Sequence, residues 1–264
     1  MSESTTLLLE KDGPIGWIVF NQPEKRNAVS QEMWQAMPGH VRELAEDDAI
    51  RVVVLRGAGE QAFVAGADIS QFRERRRNMD DEAEYRRVSG RGQEALSSLT
   101  KPLLAMIHGY CVGGGVGIAV GCDIRIAADD ARFGVPAARL GLGYHYHGME
   151  KLMALVGPAC VKEIFFTART DFTAQEALRM GLVNQVVPKA QLEAFTRDYA
   201  LRIAANAPLT LRSAKATVEQ LLRPAEQRDL GLLDKLLTDC FNSEDYQEGV
   251  RAFSEKRRPQ FRGR

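Results

Sequence analysis

The residues best placed to do chemistry are glycines. Ile107 to Asp123 reads "IHGYCVGGGVGIAVGCD", with Gly113, Gly114 and Gly115 consecutive and Gly117 close behind in an otherwise apolar run. A glycine inside a regular element costs about 0.5–1 kcal/mol relative to alanine, through the backbone entropy it loses. A run of them argues for a backbone that must come very close to something. A strand, then glycines, then a helix would bring the free N–H groups of a helix N-terminus against a negatively charged ligand atom. The spacing does not match a dinucleotide fingerprint, which needs G-x-G-x-x-G in the first βα unit. No Gly-Lys-Ser/Thr follows that would make a phosphate loop. Close helix–strand packing is the alternative reading of the glycines alone.

A second small-residue turn, Ala65-Gly66-Ala67, lies in "FVAGADISQF" (Phe63 to Phe72). Two such turns, far apart in sequence, could each aim one backbone N–H at a single oxygen. That is an oxyanion hole, which requires no particular side chain but does require room for the backbone. Side chains able to move protons gather further on, in "GLGYHYHGME": Tyr144, His145, Tyr146, His147 and Glu150. A tyrosine or histidine there could hydrogen-bond a carboxylate or deliver a proton; packing aromatics are the competing reading. His145 and His147 lack an evident third ligand, so no metal is expected. His108 is expected to hydrogen-bond structurally at a strand end, and Cys111 has no base suggested beside it.

The elements that must position these groups follow from periodicity. "IGWIVF" (15–20), "RVVVLRG" (51–57), "FVAGADI" (63–69), "KPLLAMIHG" (101–109) and "DIRIAA" (123–128) read as strands. Met33, Trp34, Met37, Val41 and Leu44 fall at helical spacing behind Ser30, a helix N-cap, with a kink expected at Pro38–Gly39. Gln71 to Ser98 is a polar, arginine-rich helical stretch, and "FGVPAARLGLGYHYHG" is rich in loop residues. Thr173 and Glu176 form a capping box, Gly181 ends that helix, and a strand follows. From Lys189 onward only helical patterns appear, one starting at Pro208 and another at Asn242–Ser243. Strands and helices alternate to about Val187 and helices alone follow, which predicts an α/β fold with a helical extension and not two independent domains.

Composition narrows the function. Among 264 residues, Lys+Arg and Asp+Glu number 35 each, so the net charge is zero and no nucleic-acid partner is expected. No apolar run approaches the ~20 residues of a membrane span, and the N-terminus lacks the marks of a signal peptide. The four cysteines form no CxxC pair, which fits a reducing cytoplasm.

Taken together, "NQPEKRNAVS", "AFVAGADISQF", "KPLLAMIHGYCVGGGVGIAVGCDIRIAADDARFGVP", "TAQEALRMGLVNQVV" and "NSEDYQEGVRAFSEKRRPQF" resemble the crotonase superfamily, the enoyl-CoA hydratase/isomerase family. They occur in that family's order and cover nearly the whole chain. The resemblance implies a spiral of ββα turns over residues 1–188 and a helical C-terminal region over 189–264 that joins chains into trimers, often dimers of trimers. It implies an acyl-CoA thioester as substrate, with coenzyme A as part of that substrate and no other cofactor. The thioester oxygen would be held by the N–H groups of Ala67 and Gly114. Coenzyme A would be met by Lys25, Arg26 and Ala28, by Ala65, Asp68 and Ile69, and from a neighbouring subunit by Phe253 and Lys256. The Arg73–Arg77 run could assist with a phosphate, although a solvated helix face is the more ordinary role of such a run.

The chain departs from the family in one respect. The family's hydratases carry two glutamates, and the corresponding positions here are Gly117 and Ala137. Neither residue can move a proton. Around Tyr144, through "VKEIFFTA" and in the tail, the chain resembles the family's methylmalonyl-CoA decarboxylases, although those have a histidine where this chain has Ala67. The resemblance therefore implies a carbon–carbon or carbon–oxygen lyase that works through a thioester enolate without paired glutamates, with Tyr144 and His145 as its side-chain candidates. The alternatives are a hydratase whose acid/base groups have moved, or a non-catalytic CoA- or RNA-binding relative.

Overall fold

Val52, Val53, Val54 and Leu55 are all fully buried, and they alternate between two cores. Val53 and Leu55 face the interior, whereas Val52 and Val54 face the opposite side of the same sheet. That double burial is why this strand reads as an unbroken apolar run. The computed structural model describes residues 5–67, 79–144 and 146–264.

Among the described residues the strands form two sheets. The larger contains β1 (Leu7–Asp12), β2 (Ile15–Phe20), β3 (Val52–Gly57), β5 (Leu103–Ile107), β7 (Ile124–Ala128) and β10 (Gln185–Val187), in the order β1-β2-β3-β5-β7-β10. Only the β1–β2 pair is antiparallel. The smaller contains β4 (Ala62–Val64), β6 (Tyr110–Val112), β8 (Arg132–Gly134) and β9 (Phe172–Thr173), in that order. The chain therefore lays one strand in each sheet and then a helix, and repeats. The helices of the successive turns are α2 (Met79–Ser98), α3 (Gly114–Ala119) and α4 (Tyr146–Thr167). This is the expected ββα spiral.

Helix α1 (Gln31–Glu46) starts where Ser30 Oγ accepts the Met33 N–H, and it buries Met33, Trp34, Met37, Val41 and Leu44. The kink expected at Pro38–Gly39 does not divide it; the helix runs through Pro38 as one 16-residue element. Helix α5 (Ala174–Met180) has the predicted capping box and ends at Gly181, whose φ of 79° is left-handed. The passage rich in loop residues holds β8 and a 3₁₀ turn at Pro136–Leu140, and then enters α4. Inside α4 the backbone leaves helical geometry at Gly157, immediately before Pro158.

After β10, helix α6 (Leu192–Ala204) seals the outer face of the larger sheet, where Leu192 and Ala200 join Val52, Val54, Leu104 and Met106. Three more helices follow, α7 (Pro208–Leu221), α8 (Leu230–Phe241) and α9 (Glu244–Ser254). Among the described residues no helix is long and apolar enough to cross a membrane.

Candidate functional site

The two small-residue turns meet. Strands β4 and β6 pair in parallel, so the segments that follow them, Ala65–Ala67 and Gly113–Gly115, leave the smaller sheet side by side. A Cβ built on Gly114 would lie 3.7 Å from the Ala67 nitrogen, and one built on Gly113 would lie 3.8 Å from Gly66 Cα. Gly115 shows why glycine is required there, since its Cβ would fall 2.1 Å from the Val64 carbonyl oxygen. No side chain could stand so close.

The backbone around both N–H groups is defined by its hydrogen bonds. In α3 the first intrahelical bond is Gly117 N–H to Gly113 O at 3.2 Å, so the Gly114 N–H belongs to the free first turn. Gly113 is a left-handed N-cap, with φ 56° and no side chain in the way. Ala67 forms an isolated parallel bridge with Val29, in which the Val29 N–H donates to Gly66 O at 2.8 Å. In a parallel bridge the bonds of Val29 go to residues flanking Ala67, so Ala67's own N–H is not used by Val29. The Ala67 nitrogen and Gly114, from distant parts of the chain, are thus brought side by side.

The loop expected to meet coenzyme A packs against the first of these turns. Lys25 ends a 3₁₀ turn (Pro23–Lys25), and Arg26 and Asn27 are left-handed at φ 52° and 56°. Asn27 carries no signal in the sequence, yet it holds the loop. Fully buried, it accepts the Gln22 N–H at 3.0 Å and donates to the carbonyls of Ala58 at 2.9 Å and Ala62 at 2.7 Å. Arg26 O then accepts the Ala65 N–H at 3.1 Å, and the Arg26 guanidinium lies 4.9 Å over the Tyr110 ring. Lys25, Arg26, Ala28, Ala65, Ala67 and Gly114 are therefore neighbours. An Asn27→Ala substitution removes three bonds and a residue tolerant of left-handed backbone, so it should cost about 2–4 kcal/mol. Thermal melting should fall by about 5–15 °C, with a higher KM for thioester; a shift under about 2 °C would show that Asn27 is not the pin.

Other candidates lie elsewhere or outside the described residues. Asp68, Ile69, the Arg73–Arg77 run and His145 fall outside them. Tyr144 is half-buried and packs edge-on against Phe165, with ring centroids 5.0 Å apart. Phe253 and Lys256 sit at the end of α9, with Phe253 88 % exposed. Gly117 is exposed on α3, where an added Cβ would meet nothing within 4 Å, whereas Ala137 is buried. The structural hydrogen bond expected of His108 is made by its backbone and not by its ring. Its carbonyl accepts the Phe63 N–H at 2.8 Å, but its buried ring Nε2 has no hydrogen-bond partner among the described residues. Burial lowers the pKa of that imidazole. Burial also raises the Cys111 thiol and pushes Cys122 up to about 12, so neither is a nucleophile at neutral pH.

Comparison with known proteins identifies the family. The family model described as enoyl-CoA hydratase/isomerase matches residues 10–264. A short-chain-enoyl-CoA hydratase of Clostridium acetobutylicum is 35% identical over 256 residues, covering 97% of each chain. A carnitinyl-CoA dehydratase of Salmonella typhi is 34% identical over 268 residues, covering 100% of each. The crystal structure of an enoyl-CoA hydratase/isomerase family protein from Hyphomonas neptunium superposes with a TM-score of 0.93 at 36% identity, over 100% of both chains. With a ββα spiral and relatives matched from end to end, the chain belongs to the enoyl-CoA hydratase/isomerase family, the crotonase superfamily.

Proposed function

We propose that the protein turns over an acyl-CoA thioester through an enolate, as a lyase that does not use paired carboxylates. The observation that supports this most is the convergence of the Ala67 and Gly114 turns, with Gly114's Cβ direction ending 3.7 Å from the Ala67 nitrogen. The reading also rests on Gly117 and Ala137, which stand where the family's glutamates are expected. In the decarboxylation version, the bond from the α-carbon to the substrate carboxylate breaks and CO2 leaves. The electron pair passes into the thioester, the oxygen takes up negative charge between the two N–H groups, and a proton then goes to the α-carbon. No strong base is needed. Tyr144 and His145 are the side chains proposed to orient the carboxylate or supply that proton.

A second reading, a hydratase with relocated acid/base groups, is favoured by the names of relatives at 33–35% identity, which include short-chain-enoyl-CoA and crotonyl-CoA hydratases. Mass spectrometry in heavy water with crotonyl-CoA, methylmalonyl-CoA and a hydroxycinnamoyl-CoA separates the two. Loss of CO2 with deuterium on the α-carbon supports the lyase. Water added to crotonyl-CoA, without decarboxylation, replaces it with the hydratase.

The C-terminal helices are further proposed to join chains into a trimer or a dimer of trimers. Leu237, Phe241, Tyr246, Val250 and Phe253 are exposed along a groove of about 680 Å³ between α7, α8 and α9. An apolar face of that kind is ordinarily covered. Val250→Asp should convert a threefold or sixfold mass to that of one 29.3 kDa chain in sedimentation; a single-chain mass for the unsubstituted protein at micromolar concentration would overturn the assignment.

A further inference from the structure

At the opposite end of the larger sheet lies a cavity of about 360 Å³ that the thioester reading does not use. It is lined by the residues that open β3 and β5, by the first turn of α7, and by the tail. β3 is six residues long, or about 20 Å at 3.3 Å per residue, and its far end leads to the loop held by Asn27. The cavity is therefore about one strand length from the loop held by Asn27.

Its lining is strongly cationic. Arg51, Lys101, Arg212, Arg262 and Arg264 contribute positive charge, and among the described residues Asp48 is the one acidic side chain in the lining. Arg264 is partly engaged, with Nε 3.3 Å from Glu244. Lys101 is fixed in place, its ammonium donating to Leu44 O at 2.7 Å and Asp47 O at 2.8 Å. Burial and the nearby Arg51 lower the Lys101 pKa against the pull of Asp47 and Asp48. Among the described residues, neither the Arg212 nor the Arg262 guanidinium has an ion-pair or hydrogen-bond partner.

The walls are built as well as charged. Buried Asp245 accepts the Arg262 N–H at 2.6 Å and the Gly263 N–H at 2.8 Å, and Arg51 donates to Arg262 O at 3.2 Å. These bonds draw the tail across the cavity. On the other side α7 begins at Pro208 with no side-chain cap, and its first free N–H groups add to the positive field. Like charges held together in a concave wall repel until an anion joins them. Planar guanidinium groups suit phosphoryl oxygens, which they can bind in pairs.

We propose that this cavity is a second binding site, one that takes a small diphosphate independently of the thioester site. Calorimetric titration of inorganic pyrophosphate into the full chain in 150 mM KCl tests it. Saturable binding of one pyrophosphate per chain is expected. The Kd should rise about tenfold or more in Arg212→Ser and in Arg262→Ser. Both arginines are exposed, so the fold should survive, which a thermal melt checks, and thioester turnover should stay within about twofold because neither touches that site. Lys25→Ala, in the coenzyme A loop, should leave pyrophosphate binding unchanged. Unsaturable heats would overturn the proposal. So would binding that weakens in Lys25→Ala and survives both arginine substitutions, since the pyrophosphate would then be in the coenzyme A site.

Discussion

Replacing Gly114 by proline should lower thioester turnover about 10²–10³-fold while leaving the fold intact. The size of the effect is that of one lost oxyanion donor, about 3–4 kcal/mol in the transition state. Proline deletes the N–H itself, which no other natural substitution does. The fold should tolerate it because Gly114 is the first residue of α3, a position that wants φ near −65° and uses no intrahelical N–H. The neighbouring position gives the contrast. Gly115→Ala puts a methyl 2.1 Å from Val64 O, so β4 and α3 must part. Overpacking of that kind costs about 1–3 kcal/mol or more. Gly114→Pro should thus lose rate at nearly constant melting temperature, and Gly115→Ala should lose melting temperature first. Steady-state turnover and thermal melts of the two variants check this. Turnover of Gly114→Pro within about threefold of the parent would remove Gly114 from the oxyanion hole.

That contrast separates what the glycine run says from what it leaves unsaid. Close approach was legible in Gly113–Gly115, because three glycines in an apolar run forfeit side-chain packing and backbone entropy that only a close backbone contact offsets. Which glycine is proposed to donate and which merely fits was not, because that depends on where Val64 O and the Ala67 nitrogen lie. Buried strands such as β2, β3, β5 and β7 were legible because their residues are apolar on both faces. β6, β8 and β9 were not, since strands of two or three residues are too short for a period to show. The capping box at Thr173 and the cap at Ser30 were visible because both are local. Asn27 was not, because its acceptors Ala58 and Ala62 are 31 and 35 residues away. The basic cavity has the same character: Arg51 meets Arg262 O across 211 residues, a separation at which no spacing rule operates.

Gly117→Glu should raise crotonyl-CoA hydration by about 10²-fold or more, the lower range of what one positioned acid or base contributes. Gly114 and Gly117 are three residues apart on α3, so their side-chain directions share one face, a turn apart. A carboxylate at 117 would therefore rise beside the gap in which the thioester oxygen is proposed to sit. Space permits it, since a Cβ there meets nothing within 4 Å and the position is exposed. Replacing a helical glycine also stabilises α3 by about 0.5–1 kcal/mol, so the melting temperature should hold or rise. Ala137 differs. It is 4% exposed within the main core, and a glutamate there would be desolvated, its pKa driven up and the fold weakened. Gly117→Glu is accordingly the cleaner experiment, read as the initial rate of water addition against the parent. A parent that already hydrates crotonyl-CoA, with no gain in the variant, would mean that other side chains do the proton transfer, and the glutamate-independent lyase would give way to the hydratase. A gain of the expected size from a low parent rate would identify the missing carboxylate as what separates this chain's chemistry from hydration.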